Sequence, residues 1–185
     1  MSRIMIQEVA EKVGQEVLVK GWVHTRRDHG KLIFIDVRDR SGLLQVVFIP
    51  SNKEAHELAQ SLRSEFVVEI TGQINERPAN MVNDKIPTGK VEMLATGLSI
   101  INEAKTPPFE VDQDTKDVSE ELRLKYRYLD LRSLRMADNL VMRSKVNKFF
   151  RDYLEREKFL EIETPILTKG TPEGAREFLV PSRIW

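Results

Sequence analysis

The chain has 185 residues, 41% of them hydrophobic, and its 29 basic and 29 acidic side chains give a formal net charge of zero. This length and composition allow a buried core and one or two domains. The lack of cysteine excludes disulfides and thiolate metal sites, and the three histidines are not at zinc-ligand spacing, so we predict no metal site. Balanced charge excludes a global basic field, so any nucleic-acid binding must be local.

The start of the chain lacks the pattern of a signal peptide, because it mixes charged and apolar side chains. No run approaches the about 20 consecutive apolar residues that a membrane span requires. We therefore expect a cytoplasmic protein without membrane contact.

Alternating apolar and polar side chains predict three consecutive strands near the start of the chain. Glycine-containing turns separate them. The predicted elements are a helical turn at residues 7–12 and strands at residues 17–24, 32–39 and 43–49. Three strands that carry basic, aromatic and amide side chains on one face are typical of a surface for single-stranded nucleic acid.

The apolar period lengthens after these strands. Ser51 followed by Glu54 predicts a capping box at the start of a helix that ends near Leu62. Two further strands are predicted at residues 66–74 and 90–101, with a polar loop between them. Five strands with one helix between the third and the fourth predict an OB-fold β-barrel, whose exposed face and loops bind oligonucleotides or oligosaccharides.

The composition changes after the barrel, where adjacent prolines precede an acidic, polar run. A run of this kind without an apolar period predicts a linker between domains. We therefore predict a barrel domain at residues 1–104, a linker at residues 105–126 and a second domain at residues 127–185.

A predicted helix in the second domain carries a broad apolar stripe with spacings of three and four residues. Its residues are Met142, Val146, Phe149, Phe150, Tyr153 and Leu154. Such a stripe is most often core or dimer interface rather than a ligand site. The sequence KFLEIETPIL at residues 158–167 then predicts a strand that Pro165 interrupts.

Three motifs in this second half resemble class II aminoacyl-tRNA synthetases. RYLDLR at residues 127–132 is similar to a segment shared by the aspartate, asparagine and lysine enzymes. The helix followed by KFLEIETPIL resembles motif 1 of the class, with Pro165 in the place of its characteristic proline. TPEGAREFLVPSR at residues 171–183 narrows the resemblance to the bacterial-type aspartyl-tRNA synthetases.

The resemblance implies that residues 127–185 begin the α+β catalytic domain of a class II synthetase. It implies ATP-dependent formation of aspartyl-adenylate from L-aspartate, with Mg²⁺ accompanying ATP, and transfer of the aspartyl group to tRNA(Asp). Glu173 resembles the loop residue that binds the ammonium group of aspartate. A homodimer is also implied, with an interface that includes Phe149, Phe159 and Pro165.

The resembled enzymes continue into motifs 2 and 3, which complete the nucleotide site. We therefore expect the 185-residue chain to be an N-terminal fragment that does not catalyse aminoacylation alone and binds ATP poorly. The alternatives are a free-standing OB-fold module that binds RNA without catalysis, and a fragment that serves dimerisation.

The exposed face of the predicted barrel contains the candidate RNA contacts. If Ile33 and Ile35 point inward, the two-residue period exposes Phe34 between them, where an aromatic ring can stack on a base. Asp36 shares this face. Gln45 is an isolated amide on the third strand that can read a base edge as donor and acceptor. The resemblance implies that Phe34 stacks on the anticodon and that Gln45 reads its central base.

Two adjacent arginines end the first predicted strand. We expect Arg26 to hold a phosphate or a base. Arg27 is expected to pair with Asp28 or Asp39, and a solvated surface is the alternative for both arginines. Trp22 is expected in the core.

Two further positions follow from the resemblance. Arg77 and the loop at residues 80–83 resemble the region that meets the first anticodon base. His29 resembles a loop histidine of enzymes that charge both tRNA(Asp) and tRNA(Asn), whose anticodons differ in the third base. A turn histidine without a partner is the alternative for His29.

Overall fold

The structure is a computed structural model that describes residues 2–170 and 178–183. Its strands are β1 Glu16–His29, β2 Leu32–Asp39, β3 Gly42–Phe48, β4 Val67–Glu76 and β5 Val91–Asn102. Its α-helices are α1 Lys53–Ala59, α2 Glu120–Lys125, α3 Arg127–Asp130 and α4 Leu134–Arg156, and 3₁₀ helices lie at Ile6–Lys12, Ala79–Met81 and Thr115–Asp117. No helix in the described residues is long and apolar enough to cross a membrane. The chain divides into two compact units, Met1–Asn139 and Leu140–Trp185.

The five strands close into one barrel in the order β1-β2-β3-β5-β4. Neighbouring strands are antiparallel except β3 and β5, which run parallel. Helix α1 lies between β3 and β4 in the chain, which confirms the predicted OB-fold. The predicted limits of β2 are correct, whereas β1 continues to His29 instead of ending near residue 24.

Alternate residues of each strand point inward and form the barrel core. On β2 the burial alternates strictly, so that Ile33, Ile35 and Val37 are buried between partly exposed neighbours. Each fully buried aliphatic side chain contributes about 1.5–3 kcal/mol relative to an exposed one. Other fully buried core residues are Val19, Val23, Leu44, Val46, Val68, Ile70, Ile74 and Met93.

An irregularity in β1 changes which of its residues face outward. Val23 lies opposite Val37, but the next pair joins Thr25 to Asp36. Between these two pairs β1 advances by two residues and β2 by only one. A β-bulge of this kind shifts the alternation of side chains by one residue. After the bulge, Arg27 therefore lies on the outer face of the barrel.

Helix α1 begins later than predicted. Its N-cap is Asn52, whose side-chain oxygen accepts a hydrogen bond from the Ala55 N–H. The predicted capping box of Ser51 and Glu54 is therefore wrong. The side-chain nitrogen of Asn52 also donates to the carbonyl oxygen of Thr96 at 2.6 Å. This long-range contact with β5 fixes Asn52 at the helix start, and no local pattern indicates it.

The predicted linker contains structure of its own. Val111 and Thr115 are buried, and α2 begins within the segment. The carboxylate of Asp112 accepts a hydrogen bond of 2.8 Å from the Thr25 hydroxyl of β1. Polar contacts of this kind order a segment without leaving an apolar period in its sequence. The compact unit extends to Asn139, whereas domain limits at residues 104 and 126 stay predictions.

The second unit contains most of α4 and the segment that follows it. The strand predicted at residues 158–167 is wrong, because the structure has no strand there. A strand needs a neighbour to satisfy its backbone hydrogen bonds, and the five strands of the described residues all pair within the barrel. The apolar stripe of α4 is exposed and forms no core within the described residues, so its interface role stays a prediction.

Candidate nucleic-acid interface

Phe34 lies on the outer face of the barrel, near the middle of three adjacent strands. It is opposite Arg27 of β1 and Val47 of β3. Its chain neighbours Ile33 and Ile35 are buried, while Phe34 itself is partly exposed, as the alternation predicts. A ring held in this way presents one surface to solvent, where an unpaired base can stack on it.

Arg27 is the basic residue that the structure places beside Phe34. Its Nη2 donates to both carboxylate oxygens of Asp36, at 2.8 and 2.9 Å. The same nitrogen lies 3.3 Å from Gln45 Oε1, to which it also donates. Burial raises the pKa of Asp36, and the nearby Arg27 charge opposes that rise. The predicted pairing of Arg27 with Asp28 or Asp39 is wrong, because the bulge turns Arg27 toward β2 instead.

Arg26 is engaged by the protein rather than free for a phosphate or a base. Its Nε and Nη2 donate to the two oxygens of Asp28, at 3.0 and 2.7 Å. Its Nη1 donates to the carbonyl oxygens of Gln60 and Leu62, at 2.5 and 3.3 Å. The hydrogen bonds from Arg26 lower the pKa of Asp28. The expected phosphate or base contact of Arg26 is therefore not supported by this geometry.

Gln45 has a fixed orientation because both ends of its amide have partners. Its oxygen accepts from Arg27, and its nitrogen donates to Glu92 Oε2 at 2.9 Å. One lone pair and one N–H of the amide remain for another group. Gln45 can therefore pair with a base edge that offers one donor and one acceptor.

Glu92 is a member of the site that the sequence reasoning missed. It lies on β5 between the buried residues Val91 and Met93, so alternation alone indicates that it faces outward. Its proximity to Gln45 depends on the parallel pairing of β3 with β5, which no local pattern shows.

Arg77, the residue after β4, extends the polar network around Glu92. Its Nε donates to the carbonyl oxygen of Val91 at 3.0 Å and lies 3.7 Å from Glu92 Oε2. Burial lowers the pKa of Arg77, and the charge of Glu92 opposes that change. Among the described residues, the buried Arg77 Nη2 has no hydrogen-bond partner.

The remaining predicted site residues lie outside this polar network. His29 is exposed at the end of β1, and the loop beyond Arg77 contains a short 3₁₀ helix. Phe149, Phe159 and Pro165 are exposed in the second unit. Glu173 lies outside the described residues.

Trp22 is 37% exposed, so the predicted core position is wrong. Its ring lies 5.1 Å from the guanidinium of Arg132, measured to the ring centroid. A cation over an aromatic ring explains why this tryptophan can lie at the surface.

Comparisons with known proteins agree with this architecture. The family described as OB-fold nucleic acid binding domain matches residues 17–101. The family described as tRNA synthetases class II (D, K and N) matches residues 119–185.

Similar curated proteins include the aspartate–tRNA(Asp/Asn) ligase of Legionella pneumophila strain Corby, which is 56% identical over 170 residues. That match covers 92% of this chain and 28% of the relative. The aspartate–tRNA ligase of Lysinibacillus sphaericus is 57% identical over 171 residues, which cover 92% of this chain and 29% of the relative.

Similar solved structures include the asparaginyl-tRNA synthetase from Pyrococcus horikoshii complexed with asparaginyl-adenylate, with a TM-score of 0.79 and 28% identity. It covers 95% of this chain and 39% of that structure's chain. A structure described as a putative aspartyl-tRNA synthetase from Leishmania major has a TM-score of 0.78 and 25% identity. That match covers 89% of this chain and 35% of the other chain.

The barrel is thus similar to OB-fold nucleic-acid-binding domains, and the segment after it to the class II tRNA synthetases of the aspartate, lysine and asparagine group, each match covering less than half of the chain. Its curated homologues at about 55% identity are aspartate–tRNA ligases. The chain spans 28–30% of the length of the curated relatives it matches.

Proposed function

We propose that the outer barrel face reads the anticodon of tRNA(Asp) within a cytoplasmic aspartate–tRNA ligase. The observation that carries this proposal is the partly exposed Phe34 beside Gln45, whose amide is held in one orientation by Arg27 and Glu92. Base stacking supplies affinity, and an oriented amide supplies selection, because only a complementary base edge satisfies its remaining donor and acceptor.

The proposed roles of the other polar residues follow from the partners that each side chain has. Arg77 lies beside Glu92, the partner of Gln45, which supports a place for it near the first anticodon base. Arg27 and Asp36 neutralise each other, so we assign them a positioning role beside Phe34 and Gln45 rather than attraction of phosphates.

The complete ligase reaction is proposed for the whole protein. It joins L-aspartate to tRNA through aspartyl-adenylate, and ATP supplies the activating group. Glu173 is proposed to bind the substrate ammonium, and Phe149, Phe159 and Pro165 to lie in a homodimer interface. In residues 2–170 and 178–183, no group of three or more acidic or imidazole side chains is arranged to hold a metal ion. We assign no step to Mg²⁺ here.

The test is a titration of the 185-residue chain with an RNA hairpin that carries the tRNA(Asp) anticodon. We expect it to bind more tightly than the same hairpin with a different central base. Replacing Gln45 by Glu, which has the same shape but lacks the donor, should abolish that preference. Equal binding of both hairpins by the unmodified chain would contradict anticodon reading and favour the alternative, an OB-fold module that binds RNA without sequence preference.

We also propose that the chain accepts the tRNA(Asn) anticodon, with His29 near the third base. The names of several relatives support this extension, since those from Legionella pneumophila and Halothermothrix orenii are called aspartate–tRNA(Asp/Asn) ligases. Others, including the one from Staphylococcus carnosus, are called aspartate–tRNA ligases. Hairpins that end their anticodon in C and in U should bind equally, and a strong preference for C would exclude dual recognition.

A further inference from the structure

The segment Thr115–Ser133, which contains α2 and α3, is held together by one buried carboxylate. Asp130 is fully buried and accepts hydrogen bonds from the Thr115 hydroxyl at 2.6 Å and from Arg127 Nη1 at 2.8 Å. The Ser133 hydroxyl donates to the Asp130 carbonyl oxygen at 2.8 Å. These contacts connect both ends of the segment.

A second buried carboxylate, that of Glu65, joins this segment to the barrel. Glu65 is 6% exposed and lies just before β4. Arg38 of β2 donates to Glu65 Oε1 at 2.8 Å. Arg132 Nη1 lies 2.7 Å from Glu65 Oε2, an ion-pair contact, and the same guanidinium covers the ring of Trp22. One negative charge thus lies between two positive charges from different parts of the fold.

The backbone of Glu65 is fixed in an unusual conformation. Its φ of 69° lies in the left-handed region, which residues other than glycine rarely adopt. The Glu65 N–H donates to the carbonyl oxygen of Val23, and the Val23 N–H donates to the carbonyl oxygen of Phe66, each at 2.8 Å. The two hydrogen bonds with the neighbouring backbone hold this conformation. A strained backbone conformation that is kept despite its cost indicates a role for the side chain, here that of Glu65.

We propose that Glu65 is a positioning residue that fastens the segment Thr115–Ser133 to the barrel through Arg132. The chain enters α4 at the next residue, Leu134, so this contact also sets where that helix begins. Removal of the Glu65 charge leaves two partly exposed arginines without the negative charge between them, and their repulsion favours release of the segment. Removal of the Arg132 charge leaves the Arg38–Glu65 pair intact and has a smaller effect.

Hydrogen exchange of the full 185-residue chain, followed by mass spectrometry, tests the proposal. In Glu65→Gln we expect amides within residues 115–133 to exchange about 10-fold faster, while barrel amides keep their protection. Arg132→Gln should accelerate the same amides less. The double variant should exchange no faster than Glu65→Gln, because the two residues act through one contact. Glu69→Gln is the matched control, since Glu69 on β4 pairs with Lys20 at the surface.

Three results would overturn the proposal. The first is unchanged exchange of residues 115–133 in Glu65→Gln, and the second is an additive effect in the double variant. The third is an equal loss of protection in the barrel and the segment, which would make Glu65 a residue for barrel stability alone. Because RNA binding is not measured, failure of the proposed anticodon reading would leave this result unaffected.

Discussion

The barrel and the second unit use apolar side chains in opposite ways. In the barrel, residues such as Ile70 are fully buried, because a closed sheet supplies partners on every side of its interior. In the second unit, Phe149 on α4 is 60% exposed. A single helix with an irregular extension cannot surround its own apolar stripe. The barrel therefore buries its apolar side chains within the described residues, whereas the stripe of α4 stays exposed there.

The exposed stripe is organised rather than scattered. The rings of Phe149 and Tyr153 stack with centroids 6.4 Å apart and planes inclined by 16°, and Phe150 meets Phe149 edge to face at 5.9 Å. Large contiguous apolar patches on a surface mark interaction sites. The arrangement supports the proposed homodimer interface.

Truncation of a core residue should produce the largest loss of stability. If it does not, the contrast between the barrel and the second unit is wrong. Ile70→Ala should lower the free energy of unfolding of the barrel by about 2–5 kcal/mol, because it removes buried methyl groups and leaves a cavity. Phe149→Ala should change the same quantity by less than about 0.5 kcal/mol. Urea denaturation of both variants measures the difference. Similar losses would mean that the stripe packs within the chain.

Self-association tests the stripe directly. Phe149→Ala should weaken dimer formation by about 2–4 kcal/mol if the aromatic ring is a central interface residue. Sedimentation equilibrium over a range of protein concentrations measures this, and Ile101→Ala, an exposed apolar residue on the barrel, serves as the control. An unmodified chain that stays monomeric throughout would argue against the interface.

RNA binding should depend on the barrel and not on the second unit. Phe34→Ala should weaken binding of the anticodon hairpin by about 1–3 kcal/mol, because the stacking surface is lost. Phe149→Ala should leave the hairpin affinity unchanged. Fluorescence titration measures both, while the melting temperature checks that the barrel of each variant is folded. Equal weakening by the two substitutions would contradict a localised RNA face.

The pH dependence of stability should show the smallest difference. Burial raises the pKa of Asp36, so the folded chain takes up this proton more readily than the unfolded chain does. Between the ordinary carboxyl pKa of about 4 and the raised value, the Asp36 contribution to stability therefore increases as pH falls. Asp36→Asn should raise the melting temperature slightly at neutral pH, and this gain should vanish below the ordinary carboxyl pKa.

The control for Asp36 lies in the second unit. Glu161 pairs with Arg151 at 2.9 Å, and both side chains are more than half exposed. Solvent screens such a pair, so Glu161→Gln should change the melting temperature little at any pH. A loss of stability in Asp36→Asn at neutral pH would show that its hydrogen bonds with Arg27 outweigh the burial of its charge.

Much of the barrel could be predicted because strand alternation is a local property. The period of two around Phe34 is enough to indicate that Ile33 and Ile35 are buried, and the structure confirms this. The class II segment was recognisable for a different reason, since its motifs are continuous in sequence. The strand predicted at residues 158–167 failed because strand formation also needs a partner, which a local pattern does not supply.

The sequence by itself determined the OB-fold, the similarity to class II synthetases and the partly exposed position of Phe34. Only the tertiary structure decided which arginine joins that face, because one bulge in β1 reverses the alternation and turns Arg27 outward while Arg26 binds Asp28. It also decided the orientation of Gln45, through a contact with Glu92 that joins residues 47 positions apart. Side-chain alternation depends on neighbouring residues, whereas register, bulges and strand neighbours depend on backbone pairing between distant parts of the chain.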